Sequence, residues 1–116
     1  MNLLLRSLRE WRRYAEIIAC IVEEMLGGEA EVYAVGGAAE GRLTALSDID
    51  IVVALDHEPS YSEAVQLRAE ILERAERRGL PLHAPIELHF TAKNRVAGYG
   101  KAERIECRHE PRPSAE

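Results

Sequence analysis

Apolar residues recur every three to four positions through the first part of the chain. Leu4, Leu8, Trp11, Ala15, Ile18, Val22 and Met25 share one helical face, while Arg6, Arg9, Glu10, Arg13, Glu16 and Glu23 fall largely elsewhere. The pattern predicts an amphipathic helix from about Leu3 to Leu26, with the stripe, Trp11 included, serving as core. Gly27 and Gly28 supply its stop, because glycine readily takes the left-handed conformation at a helix end. Glu31 to Val35 (EVYAV) predicts a short strand that ends abruptly at Gly36-Gly37. A short helix is expected over Ala38 to Ala45, weakened by Gly41. Asp48 to Leu55 (DIDIVVAL) is the strongest strand signal, and its apolar run from Ile51 to Leu55 suits a strand covered on both faces.

Further on, Ser60 followed by Glu63 has the form of a capping box. The helix it opens is expected to run to about Arg78, with Ala64, Leu67, Ile71 and Ala75 on one face, and to end at Gly79 and Pro81. Pro85 precedes a strand at Ile86 to Thr91. Alternation puts Ile86, Leu88 and Phe90 on one of its faces and Glu87 and His89 on the other. After Asn94 the pattern fades; Tyr99 to Cys107 fits a last short strand or a helix. The order helix, strand, strand, helix, strand predicts an α/β (α+β) domain with a small mixed β-sheet flanked by helices. We expect a single domain over residues 1–110 and a disordered tail over 111–116.

Composition narrows the picture. A chain of 116 residues with 47% hydrophobic residues forms one domain with a modest core. A net charge of −5 argues against general nucleic-acid binding, which needs a basic surface, and leaves room for a local basic patch such as Lys93, Arg95 and Lys101. As a charge run, those three residues read more simply as a solvated loop. Charges interrupt the apolar residues of MNLLLRSLREWRRY, so this stretch reads as neither signal peptide nor membrane span. Cys20 and Cys107 have no ligand-like spacing and are expected as two free thiols of a cytoplasmic protein.

The chemistry concentrates between Gly36 and Asp50. In a strand, residues i and i+2 point to one face, so Asp48 and Asp50 would lie side by side. Their mutual repulsion is relieved by a divalent cation, and Mg²⁺ prefers such oxygen ligands. Taken alone, Ser47-Asp48 before a strand also reads as an Asx-type turn with Asp50 exposed. Gly36 and Gly37, at a strand end that opens a helix, allow close backbone approach and offer N–H groups to an anion such as phosphate. Gly-Gly is also a common turn, but a phosphate cradle leading into a metal pair is more specific than either part. Glu87 is a third carboxylate. It is either solvent-exposed or, if its strand neighbours that of Asp50, able to bind metal and accept a proton from an attacking hydroxyl. His89 shares its face, within reach of substrate, and reads more simply as a surface or edge histidine.

These residues resemble the nucleotidyltransferase superfamily of DNA polymerase β type, and more narrowly its minimal nucleotidyltransferases. Gly36-Gly37 is similar to the family's Gly-Ser element, and Ala38-Ala39-Glu40-Gly41 to its continuation. Ser47-Asp48-Ile49-Asp50-Ile51 is similar to its metal motif, Glu87 to its third acid, and the spacing from Gly36 to Asp50 agrees without gaps. Gly37 stands where the family usually has Ser, and Glu40 where many minimal members carry Arg, a loss that Arg42 offsets if it points inward.

The resemblance implies the polymerase β-like fold and a Mg²⁺-dependent transfer of a nucleoside monophosphate, AMP from ATP or its equivalent from another nucleoside triphosphate, to a hydroxyl. It also implies a site in which Asp48, Asp50 and Glu87 are catalytic and hold one or two Mg²⁺ ions. Gly36, Gly37, Ser47 and Arg42 would bind nucleotide. Minimal members commonly pair with a helical HEPN-domain protein in toxin–antitoxin modules, acting as antitoxin by adenylylating the partner or by blocking it. Two alternatives stay open: a catalytically weak binding module that neutralises its HEPN partner by contact, and transfer to a small molecule. The latter would need a homo-oligomer to build the acceptor pocket.

Overall fold

The computed structural model describes residues 3–108, with side chains from residue 8 onward. The tail expected over 111–116 lies outside the described residues. Helix α1 (Leu3–Leu26) leads into strand β1 (Glu31–Val35) and the one-turn helix α2 (Gly36–Glu40). Strand β2 (Ile49–Leu55), helix α3 (Tyr61–Arg77) and strand β3 (Ile86–Ala92) follow. A 3₁₀ segment (Lys93–Tyr99) and strand β4 (Ala102–Ile105) complete the fold.

The four strands form one mixed sheet in the order β3-β2-β1-β4, the small mixed sheet flanked by helices that the pattern predicts. β2 pairs with β3 in parallel, with α3 as the crossover, while β1 is antiparallel to both β2 and β4. Alternation sorts each strand. Val32, Ala34, Ile49, Ile51, Val53, Leu55, Leu88 and Ile105 join the core with Tyr14, Ala15, Ile18, Ala19, Ile21 and Val22 of α1 and with Ile71 and Ala75 of α3. The other face carries Asp50, Val52 and Ala54, and the 3₁₀ segment packs on it, since Tyr99 meets His89 there. The apolar run of β2 is buried from Ile51 to Leu55, as a strand covered on both sides must be.

α3 begins where the capping box places it. The Ser60 hydroxyl accepts from the Glu63 N–H, and the Glu63 carboxylate accepts from the Ser60 N–H at 2.8 Å. α2 is shorter than the expected Ala38–Ala45. Gly41 turns left-handed at φ 70°, its N–H donates to the Ala38 carbonyl and that of Arg42 to the Gly37 carbonyl, ending the helix after Glu40.

The two cysteines correct a second expectation. Cys20 and Cys107 form a disulfide, with Cα atoms 4.6 Å apart. The pairing is tertiary in origin: β4 runs antiparallel to β1, with Val32 opposite Ile105, so the chain just past β4 arrives beside α1. Spacing along the sequence carries no trace of this. Closing so large a ring restricts the unfolded chain by about 4–5 kcal/mol in the chain-entropy account. Disulfides persist in oxidising compartments and also in intracellular proteins of hyperthermophiles, so the cytoplasmic expectation loses the support of free thiols. Among the described residues, no helix is long and apolar enough to cross a membrane.

Candidate functional site

The site begins with the strand register. Asp50 on β2 lies directly beside Glu87 on β3, and Val52 beside His89. Because side chains alternate, Asp50, Glu87 and His89 rise from the same face. Asp50 and His89 are each about seven-tenths shielded, while Glu87 is 58% exposed. His89 Nε2 lies 3.1 Å from Asp50 Oδ1 and 3.8 Å from Glu87 Oε1. One ligand atom from each residue lies within 4.8 Å of the others. Tyr99, on the 3₁₀ segment, sets its ring 5.6 Å from the His89 imidazole at a 55° tilt.

Gly36 closes the site from β1. Val35 is the register partner of Asp50, which brings the following residue up against the carboxylate. Gly36 has φ +62°, and a Cβ built there would stand 2.9 Å from Asp50 Oδ2. Any larger residue would therefore be strained in its backbone and would press on Asp50. Gly37 follows in α2, whose first N–H groups have no partner within the helix.

The remaining expected site residues take up other places. Asp48 is exposed, one residue ahead of β2, and stands outside the Asp50–Glu87–His89 cluster. Strand geometry begins only at Ile49, whose N–H donates to the Pro85 carbonyl at 2.7 Å. Ser47 stabilises the approach to β2: its hydroxyl accepts from the Thr44 N–H at 2.9 Å. Arg42 pairs with Glu40 at 2.6 Å on the surface, so acid and guanidinium neutralise each other there. Lys93 and Arg95 lie near the far end of the β2–β3 ladder, against Asp56 at 3.1 Å and Glu58 at 4.0 Å. There the hydrogen bond with Glu29 and the charge of Lys93 hold the Asp56 carboxyl below its ordinary range. The hydrogen bond with Asp56 raises that of Glu29.

The pattern places His89 on the Glu87 face and reads it more simply as a surface or edge histidine, and it does not single out Tyr99. His89 carried a usable signal, since it lies two positions past Glu87 and so on its face. Tyr99 carried none, because its contact depends on how the chain folds back after β3.

As chemistry, two carboxylates and an imidazole on adjacent parallel strands form an oxygen-rich donor set that fits a divalent cation. Beside them, Gly36 lets the backbone at the end of β1 come up against the Asp50 carboxylate, where a side chain would collide with it.

Comparison with solved structures finds the same architecture. A crystal structure of a candidate nucleotidyltransferase from Sulfolobus solfataricus matches with a TM-score of 0.61 over 95% of this chain and 92% of that one, at 17% sequence identity. At that identity the likeness speaks to the fold. No curated protein matches the sequence significantly. The profile of the nucleotidyltransferase domain matches residues 15–104, from the middle of α1 through the third residue of β4. The chain belongs to the nucleotidyltransferase domain family. Its class is therefore that of transferases acting on a nucleoside triphosphate.

Proposed function

We propose that this protein is a Mg²⁺-dependent nucleotidyltransferase that moves a nucleoside monophosphate, AMP from ATP in the first instance, onto a hydroxyl of a HEPN-type partner protein. The observation that carries this reading is the pairing of Asp50 with Glu87 on adjacent parallel strands, with Gly36 fitted against the Asp50 carboxylate. In the proposed reaction the acceptor hydroxyl attacks the α-phosphorus. A new P–O bond forms, the bond to the bridging oxygen breaks, and pyrophosphate leaves while the hydroxyl proton passes to Glu87. A bound divalent cation supplies charge that neutralises the phosphates and favours ionisation of the hydroxyl.

Asp50 and Glu87 would hold the cation, and Asp48, exposed just ahead of β2, would add a further carboxylate to it. Gly36 and Gly37 present backbone N–H groups to the phosphates, and Ser47 fixes the loop that carries Asp48. Residues 1–110 act as one minimal domain, with the acceptor supplied by the partner. The test is labelling of a co-purified partner with ATP and Mg²⁺. Labelling should vanish in Asp50→Asn and Glu87→Gln, and an unlabelled partner with the unaltered protein would count against the reading.

A second reading draws on a specific observation. Arg42 is engaged by Glu40, which leaves the cradle without the inward cation that would replace the family's arginine. This favours a weakly active module that neutralises its partner by contact. Partner neutralisation by Asp50→Asn at full strength would establish this alternative.

A further inference from the structure

We propose that His89 is itself a metal ligand, so that the centre proposed to work with Mg²⁺ is a mixed oxygen–nitrogen site that binds a first-row ion such as Co²⁺ or Zn²⁺ with higher affinity. The inference rests on the reading of Asp50 and Glu87 as the metal-holding pair. Its own support is the placement of one atom. His89 Nε2 points at both carboxylates, 3.1 Å from Asp50 and 3.8 Å from Glu87. Adjacent ligands of an octahedral ion with bonds of about 2.1 Å stand about 3 Å apart. The Asp50–His89 pair is already at that separation. Glu87, more than half exposed, has the freedom to close the remaining gap by turning its side chain.

The imidazole is also held in place. β3 fixes its Cα beside Val52, which is fully buried, and the Tyr99 ring lies against it. A histidine held this way changes what the site selects. Carboxylates alone suit Mg²⁺, whereas a neutral imidazole nitrogen adds affinity along the first-row series and gives Mg²⁺ little. On binding, Nε2 gives its lone pair to the ion and loses its hydrogen bond to Asp50; a proton carried on Nε2 moves to Nδ1 or leaves to solvent. The affinity of the first-row ion is thereby tied to His89 in a way that of Mg²⁺ is not.

Calorimetric titration of the full chain with Co²⁺ and with Mg²⁺ tests this, with the visible absorption of Co²⁺ as a second readout. The unaltered protein should bind Co²⁺ more tightly than Mg²⁺. His89→Gln keeps a polar side chain but lacks the imidazole, and it should lose about tenfold or more in Co²⁺ affinity while Mg²⁺ affinity stays within about twofold. His89→Ala should behave alike, and circular dichroism checks that both variants are folded. Asp50→Asn should abolish the site for both ions, which separates it from adventitious binding at other histidines. Unchanged Co²⁺ affinity in both His89 variants, with binding still lost in Asp50→Asn, overturns the role of His89 and leaves the acidic pair standing. Failure of the unaltered protein to bind either ion overturns both.

Discussion

Ile49, Ile51, Val53 and Leu55 of β2 pack in the core with two long helices, while Asp50, Val52 and Ala54 of the same strand lie on the side of the 3₁₀ segment, with Gly36 of α2 against Asp50. Both sides exclude water along the middle of the strand: Ile51 and Val52 are equally inaccessible. They differ in what the cover is made of. On the helical side, Tyr14, Ile18, Ile21 and Val22 of α1 and Ile71 and Ala75 of α3 form an apolar layer in the core. On the other side the 3₁₀ segment meets β2 and β3, Tyr99 lies against His89, and Asp50 at the start of the strand remains about three-tenths accessible. The thick side provides stability, and the thin side leaves room for a ligand beside a rigid strand.

Substitutions on the two sides should therefore fail in different ways. The largest effect is expected on the thin side. Asp50→Asn should lower nucleotidyl transfer by about 10²–10³-fold, since it removes a carboxylate proposed to hold the cation that neutralises the phosphates. Its thermal midpoint should stay close to that of the unaltered protein, and a collapse of the fold would erase the distinction between the faces. On the thick side, Ile51→Ala should cost about 3 kcal/mol in urea unfolding, from lost burial and the cavity left behind. Gly36→Ala should combine the two modes. The left-handed backbone and the approach to Asp50 should cost about 2 kcal/mol, with weaker metal binding seen by titration.

The smallest effect lies away from both faces. The Ser60 N–H holds the Glu63 carboxyl below its ordinary 4.5. A carboxyl depressed in the folded state stabilises above its unfolded pKa and loses that contribution as pH falls through the folded value. The start of α3 should therefore loosen only below about pH 4.5, visible as faster amide exchange at Glu63 and Ala64.

Much of this was legible in the chain because it is local. The three-and-four spacing of Trp11, Ala15, Ile18 and Val22 marks α1, and Ser60 with Glu63 marks the start of α3. The apolar run of β2 announces two covers without saying what they are. What was not legible depends on register between distant strands. Asp50 meets Glu87 because β2 and β3 align in parallel, a possibility the alternation allows but cannot choose. Asp48, grouped with Asp50 by the Asp-x-Asp spacing, lies exposed one residue ahead of β2. Tyr99 and Cys107 acquire neighbours only once the chain has passed over the sheet and returned beside β1.

The bond between Cys20 and Cys107, 87 positions apart, makes a closed loop of the chain, and all four strands lie inside it. A single backbone cut within the loop, for instance between Asp56 and Ser60, divides the polypeptide without releasing either piece. Limited proteolysis there should leave one band in a denaturing gel, resolving into two only after a thiol reductant is added. If the fragments separate without reductant, the ring is open in solution. A protein built this way can be nicked at its surface and keep β2 and β3 in one molecule.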